Sequence, residues 1–339
     1  MTHDYTFKTY IADGREYYEY SADALTWLER GELERHGQST LTKKDFPFPE
    51  SLLSLLYLDT DKLDLLVKQI DKAIREFLPS KDERYVAEAL TALDELARVH
   101  VYFELVRLEW RWRFAELKAR GYENRSESLP RRRITHLPAS VEEVQRQIID
   151  LFDHALNMDG EKKPLHERIT KYYRWFKEHH RFEAPSQPFQ FERQSLSFEA
   201  VDDHAFTDVL YPDSIYGLID FHLRECVKRE TRLRVCKNCG RYFAIQGRSN
   251  AEYCDRVFDE KDRTCKDVGA IALWTKNKSS DEAFKLYRRE YKKRFARIKA
   301  GKVLPEEVYA WGERAREKKA ECEEGKVTLE EFEKWLKEP

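Results

Sequence analysis

The chain has 339 residues, 37% of them charged and 41% hydrophobic, with a formal net charge of -2. It is long enough for two domains or one large domain with an appendage, and it is not a uniformly basic nucleic-acid coat. No basic stretch leads into an apolar core at the start, and no apolar run approaches the ~18 residues of a membrane span, so neither secretion nor membrane insertion is expected. The six cysteines, several at metal-ligand spacing, point to a reducing cytoplasm.

Taken in order, Tyr5 to Tyr20 holds two aromatic and β-branched runs joined at Asp13-Gly14, a hairpin signal. Helices are expected after that. Leu63, Leu66, Val67, Ile70, Ile74 and Phe77 keep a 3.6-residue period up to Pro79. From Asp82 to Arg120 the pattern predicts one long helix, or two with a break, ending at Gly121. Its apolar residues lie on more than one face, so it should be central, and Trp110, Trp112 and Phe114 are expected in the core rather than as a base-stacking platform. Tyr122 to Pro138 reads as a linker in which Arg131, Arg132 and Arg133 are solvated or touch phosphate. Ser140 with Glu143 predicts a capping box opening a helix that closes near Gly160.

Pro164 opens the next helix, which carries Leu165, Ile169, Tyr172 and Phe176 inward. Here Arg174 with His179 or His180 fits the loose R-x4-6-H spacing of HEPN ribonucleases, as does Arg131 with His136. Roughly two or three such matches arise by chance in a chain with ten histidines, and an ideal helix sets Arg174 and His179 about 140° apart, so both are discounted. Pro185 to Val201 alternates as a strand or hairpin. Asp213 is expected to cap a helix with Ile215, Leu218, Ile219, His222 and Cys226 on one stripe. His222 and Cys226 stand four apart, where a shared metal is conceivable but packing between the helical part and the next segment is expected.

That segment holds Cys236, Cys239, Cys254 and Cys265 within thirty residues. The first pair has the C-x2-C spacing followed by Gly240, which lets backbone amides turn toward the sulfurs. Four thiolates so close in sequence match a closed structural zinc site, in which the ion supplies folding free energy and leaves no position for substrate. The alternative is four cysteines without metal. A short helix is expected after Cys265, and Ser279 with Glu282 predicts a capping box for the helix that Gly301 ends. Along it Phe284, Tyr287, Tyr291, Phe295 and Ile298 form an aromatic and apolar stripe that should pack. Between Arg232 and Lys302 stand 20 Lys and Arg against 9 Asp and Glu, a net of +11 in a chain of net -2. Such asymmetry calls for an anionic partner, with nucleic acid foremost. Arg241, Arg248, Lys285, Arg288, Arg289, Lys292 and Lys293 are the residues expected to contact it.

After Gly301 a short repeat follows. Gly301-Lys302-Val303, Glu306-Glu307 and Trp311 recur 24 residues later as Gly325-Lys326-Val327, Glu330-Glu331 and Trp335. Pro305 starts one helix and Thr328 with Glu331 caps the other. Cys322 is expected to be an ordinary surface thiol.

The run Arg-x-Cys-x-x-Cys-Gly-Arg-Tyr-Phe ending at Phe243, with Tyr253-Cys254-Asp255-Arg256 and Thr264-Cys265-Lys266, resembles the zinc-ribbon segment of a bacterial family of unknown function. More distantly it is similar to CGNR-type zinc fingers, although Cys265 is followed by Lys-Asp-Val-Gly where that pattern has Gly-Asn-Arg. The likeness covers roughly residues 233–302. It implies a zinc-ribbon fold and, through the CGNR fingers, DNA rather than RNA as the ligand.

The chain therefore reads as mainly α with small β elements. A helical domain with an N-terminal hairpin spans 1–230, a four-cysteine zinc-ribbon or treble-clef-like module with its basic helix spans 231–302, and a C-terminal helical pair spans 303–339. No phosphate loop, H-E-x-x-H, G-x-S-x-G or Rossmann glycine pattern occurs, which argues against an enzyme. The expected function is that of a zinc-binding, nucleic-acid-binding protein of a regulatory, mobile-element or defence system. The competing readings are a protein-interaction module stabilised by zinc, with the Trp311 and Trp335 helices as contact surface, and a HEPN-like ribonuclease toxin.

Overall fold

The computed structural model describes residues 5–21, 41–157, 163–179, 187–202, 205–245, 251–269, 271, 282–323 and 326–338. Arg248, His180, the Ser279 capping box, Gly160 and Gly325 lie outside them. The protein is mainly helical with small antiparallel sheets. Among the described residues no helix is long and apolar enough to cross a membrane. The chain divides into two compact units, one formed by 1–235 with 241–250, the other by 236–240 with 251–339.

The first unit starts with β1 (Thr6–Ala12) and β2 (Arg15–Ser21), paired in register from Thr6↔Ser21 to Ala12↔Arg15. The turn residues Asp13 and Gly14 both have positive φ, 49° and 72°. That is the geometry whose twist suits a two-residue hairpin, and the Asp-Gly pair tolerates it. With β3 (Thr42–Pro47), β4 (Leu196–Ala200) and β5 (Phe206–Leu210) these strands build a five-stranded sheet of order β3-β2-β1-β5-β4. Strand alternation puts Phe7, Ile11, Tyr18 and Tyr20 on the face that joins the main core. The other face carries an ionic lattice in which Lys43 and Lys8 each stand 3.1 Å from Glu19.

Helices cover the core face: α1 (Glu50–Leu55), α2 (Thr60–Ser80), α3 (Glu83–Val99) and α4 (Phe103–Ala119). The long stretch from Asp82 is thus two helices, broken where His100 adopts extended backbone. Trp110, Trp112 and Phe114 are buried, as their helical spacing predicts. The supposed linker is folded instead. It forms α5 (Arg125–Ser128) and α6 (Arg131–Thr135), because Arg131 is held by the buried Asp71 at 2.6 Å and Arg133 by Glu109 at 2.9 Å.

The Ser140 capping box does not form. Helix α7 (Leu137–Leu151) begins three residues earlier with Pro138 in its first turn, where a proline lacks an amide the helix does not need, and the Ser140 amide already bonds the His136 carbonyl. A π turn at Phe152–Leu156 follows, and α8 is Leu165–His179. Among the described residues of the alternating run after Pro185, only Leu196–Ala200 is a strand. Helix α9 (Ile215–Lys228) is capped by Ser214, whose hydroxyl accepts from the Gly217 amide, and not by Asp213. His222 and Cys226 on α9 are fully buried in this unit's core. Strands β6 (Leu233–Val235) and β7 (Tyr242–Ala244) pair antiparallel and flank Cys236–Gly240 in sequence.

In the second unit α10 (Glu282–Lys299), α11 (Pro305–Glu323) and α12 (Leu329–Lys337) share a small core of Ala283, Trp311, Ala315, Phe332 and Leu336. Thr328 and Glu331 make the reciprocal capping box at the start of α12. The repeat is only partly matched in packing. Val308 and Phe332 both point inward, whereas Trp311 is buried and Trp335 only half-buried. Cys322 is not a plain surface thiol, since it is half-buried against this core.

Candidate metal centre

Cys236 and Cys239 sit on a tight turn closed by the Gly240 amide, which donates to the Cys236 carbonyl at 2.9 Å. Gly240 has φ +71°, where a side chain would be strained. Cys254 is brought in from the other side. The Lys237 amide donates to the Glu252 carbonyl at 3.0 Å, and the Cys254 amide points at the Cys236 sulfur at 3.4 Å.

The loop from Cys254 to Cys265 folds back on itself through an antiparallel bridge between Val257 and Thr264. The Phe258 amide donates to the Arg263 carbonyl at 2.8 Å and the Cys265 amide to the Arg256 carbonyl at 2.9 Å, while Asp259 accepts from the amides of Lys261 and Arg263. Cys265 then opens a helical turn at 265–269, as expected from sequence. Thr264 and Asp267 cap that turn reciprocally, at 2.8 and 3.2 Å. Gly269 lies so close under the Tyr253 ring that a Cβ there would overlap it.

The result is a cluster in which all four sulfurs lie within 4.8 Å of one another, compatible with a metal site. Cys236, Cys254 and Cys265 are buried and Cys239 is half-buried. The Cys239 and Cys254 sulfurs stand 3.8 Å apart. That is the edge of a tetrahedron whose corners are about 2.3 Å from its centre, the Zn–S distance. It is far beyond a disulfide of about 2.05 Å. A four-sulfur donor set suits soft ions, such as zinc or iron.

The four thiols are not equivalent. Burial raises the Cys236 thiol, but the amides of Cys239, Cys254 and Asn238 together outweigh it and bring it from 9.0 down to about 7. Burial pushes Cys254 and Cys265 up, and the nearby Cys236 sulfur adds to this. A divalent cation at the centre would let all four ionise. Asn238 supports the site from outside by donating its side-chain amide to the Cys265 sulfur at 3.4 Å.

The basic residues behave differently from one another. Arg289 pairs with Glu333 and Lys293 with Glu290, at 2.8 and 2.7 Å, so their charge is largely answered within the fold. Lys285, Arg288 and Lys292 are exposed and make no hydrogen bond or ion pair among the described residues. Lys299, which sequence reading passed over, is in the same condition. Arg241 is exposed in the first unit, its guanidinium 5.1 Å from the centre of the Tyr57 ring.

Of the HEPN-type pairs, His179 stacks on Trp175 and bonds the Trp175 carbonyl at 2.9 Å, while Arg131 is committed to Asp71. His222 is held in the core by the Leu218 carbonyl at 2.8 Å and the Tyr18 hydroxyl at 3.0 Å. Around it is a polar network that no sequence motif announces. The Tyr18 hydroxyl also meets Ser51 Oγ at 2.6 Å, Ser51 Oγ donates to the Tyr102 hydroxyl at 3.1 Å, and Glu16 Oε1 accepts the Ser51 amide at 2.6 Å. Among the described residues Glu16 Oε2 has no hydrogen-bond partner, and it lies 3.7 Å from His222 Nε2.

A model of a family of unknown function, DUF6076, matches residues 188–338, a span that runs from the segment before β4 to the end of α12 and holds all four clustered cysteines. No curated protein and no solved structure matches the chain.

Proposed function

We propose that the chain is a zinc-organised nucleic-acid-binding protein. Cys236, Cys239, Cys254 and Cys265 would hold the ion, which fills its tetrahedral shell with protein sulfur and so contributes folding free energy rather than Lewis-acid chemistry. Four thiolates need a reducing compartment, which makes the cytoplasm the expected setting.

The observation that carries the reading is the outer face of α10. At 100° per residue, Lys285, Arg288, Lys292 and Lys299 fall within about 60° of one another, roughly opposite the buried Ala283 and Glu290. Four cations held on one stripe over about 21 Å of helix, unanswered by any acidic partner among the described residues, fit a run of phosphates. DNA is favoured over RNA on the resemblance to CGNR fingers alone, and the setting proposed is a regulatory, mobile-element or defence system.

The test is binding of purified protein to labelled DNA and RNA of mixed sequence over a salt series. Affinity should fall linearly on a log-log plot, and charge reversal of Lys285, Arg288 and Lys292 should flatten the slope by about two to three. Binding that ignores salt, or none at low salt, would refute the proposal and leave the helices as a docking surface for protein.

A further inference from the structure

The basic stripe has an aromatic border. Tyr287, Tyr291 and Phe295 follow one another at i, i+4 and i+8 on α10, between its buried face and its cationic stripe. Their rings form a ladder, with centres 5.8 Å apart at the first step and 6.1 Å at the second, the latter pair only 17° from parallel. The inner end is anchored. Tyr287 stacks on Trp311 at 6.3 Å and 6°, and Tyr291 lies over Gly312, which has no side chain to displace it. The outer end is open, since Tyr287 and Tyr291 are half-buried but Phe295 is 38% exposed.

Packing alone accounts for Tyr287 and Tyr291. It does not account for Phe295 emerging beside Arg288, Lys292 and Lys299. A ring open beside a cationic stripe can take the face of a base only where that base has left the duplex stack, as on an extended single strand, and a cationic track bordered by an open aromatic face is the combination that binds such strands with little regard to sequence.

Building on the nucleic-acid reading, we infer that the ligand of this face is single-stranded, with phosphates along Lys285, Arg288, Lys292 and Lys299 and a base stacked on Phe295. The experiment compares full-length protein and Phe295→Ala against one labelled oligonucleotide, presented single-stranded and annealed to its complement. Single strands should bind at least about fivefold more tightly than duplex. Phe295→Ala should lose about fivefold or more on the single strand and little on the duplex, while Phe295→Trp keeps the preference. Helical content and melting of both variants, which change only a half-exposed side chain, guard against a folding defect. Equal affinity for the two forms with no effect of Phe295→Ala would overturn the inference and leave the nucleic-acid reading standing. Absence of binding to either form would remove both.

Discussion

Replacing Glu16 with glutamine keeps the shape of a fully buried side chain and removes its titration. Burial pushes the Glu16 carboxyl from 4.5 up to about 8, the Glu50 charge adds to this, and the hydrogen bond from the Ser51 amide only partly opposes it. In the unfolded chain the same group ionises above about 4.5, so between those values the folded protein keeps a proton that the unfolded one releases. The native state is then disfavoured progressively as pH rises from about 4.5 to about 8, by about 1.4 kcal/mol per pH unit. At pH 7 this amounts to roughly 3 kcal/mol. Glutamine still offers an oxygen to the Ser51 amide and carries no such burden. Glu16→Gln should therefore match wild type near pH 4.5 and exceed it by roughly 2–3 kcal/mol at pH 7. His100 and His222, both lowered to about 4 by burial, cost the native state stability as pH falls from 6.5 toward 4. Both are neutral in the folded chain near pH 7 and above, so the difference read there belongs to Glu16. Urea unfolding followed by tryptophan fluorescence from pH 5 to 8 measures it. A difference that stays flat across that range, or a variant less stable at pH 8, would show that Glu16 is ionised in the fold and refute the reasoning.

Purified protein should carry about one zinc per chain by elemental analysis; Cys254→Ser should lose it and destabilise the second unit by several kcal/mol, seen as a lowered melting temperature that added zinc does not restore. Asn238→Ala leaves the four thiols in place but removes the bond to the Cys265 sulfur, so zinc affinity should drop about 10-fold or more in chelator competition. Gly269→Ala drives a methyl into the Tyr253 ring and should cost about 1–3 kcal/mol, largely recovered when Tyr253 is also changed to alanine. Thr328→Ala breaks the capping box of α12 and should cost about 1 kcal/mol in thermal unfolding.

Local signals in this chain were legible without a structure. The Asp13-Gly14 turn, the 3.6-residue period of α2, the C-x2-C-G turn and the Thr328 capping box each depend on the geometry of a few neighbouring residues, and the fold has all of them. Where a local signal failed, a competing neighbour decided the matter. Pro138 started α7 ahead of Ser140, and Asp71, sixty residues away, drew Arg131 out of a supposed linker.

The sequence by itself determined the helical class, the hairpin and the set of four cysteines, because periodicity and short-range spacing act through backbone geometry alone. Only the tertiary structure decided which charges stay unanswered and which polar groups meet. Glu333 lies 44 residues from Arg289 and neutralises it, while Lys285 and Lys292 find no partner among the described residues. His222 comes to Tyr18 across 204 residues. Such pairings are set by how a buried surface closes, and no local pattern records that.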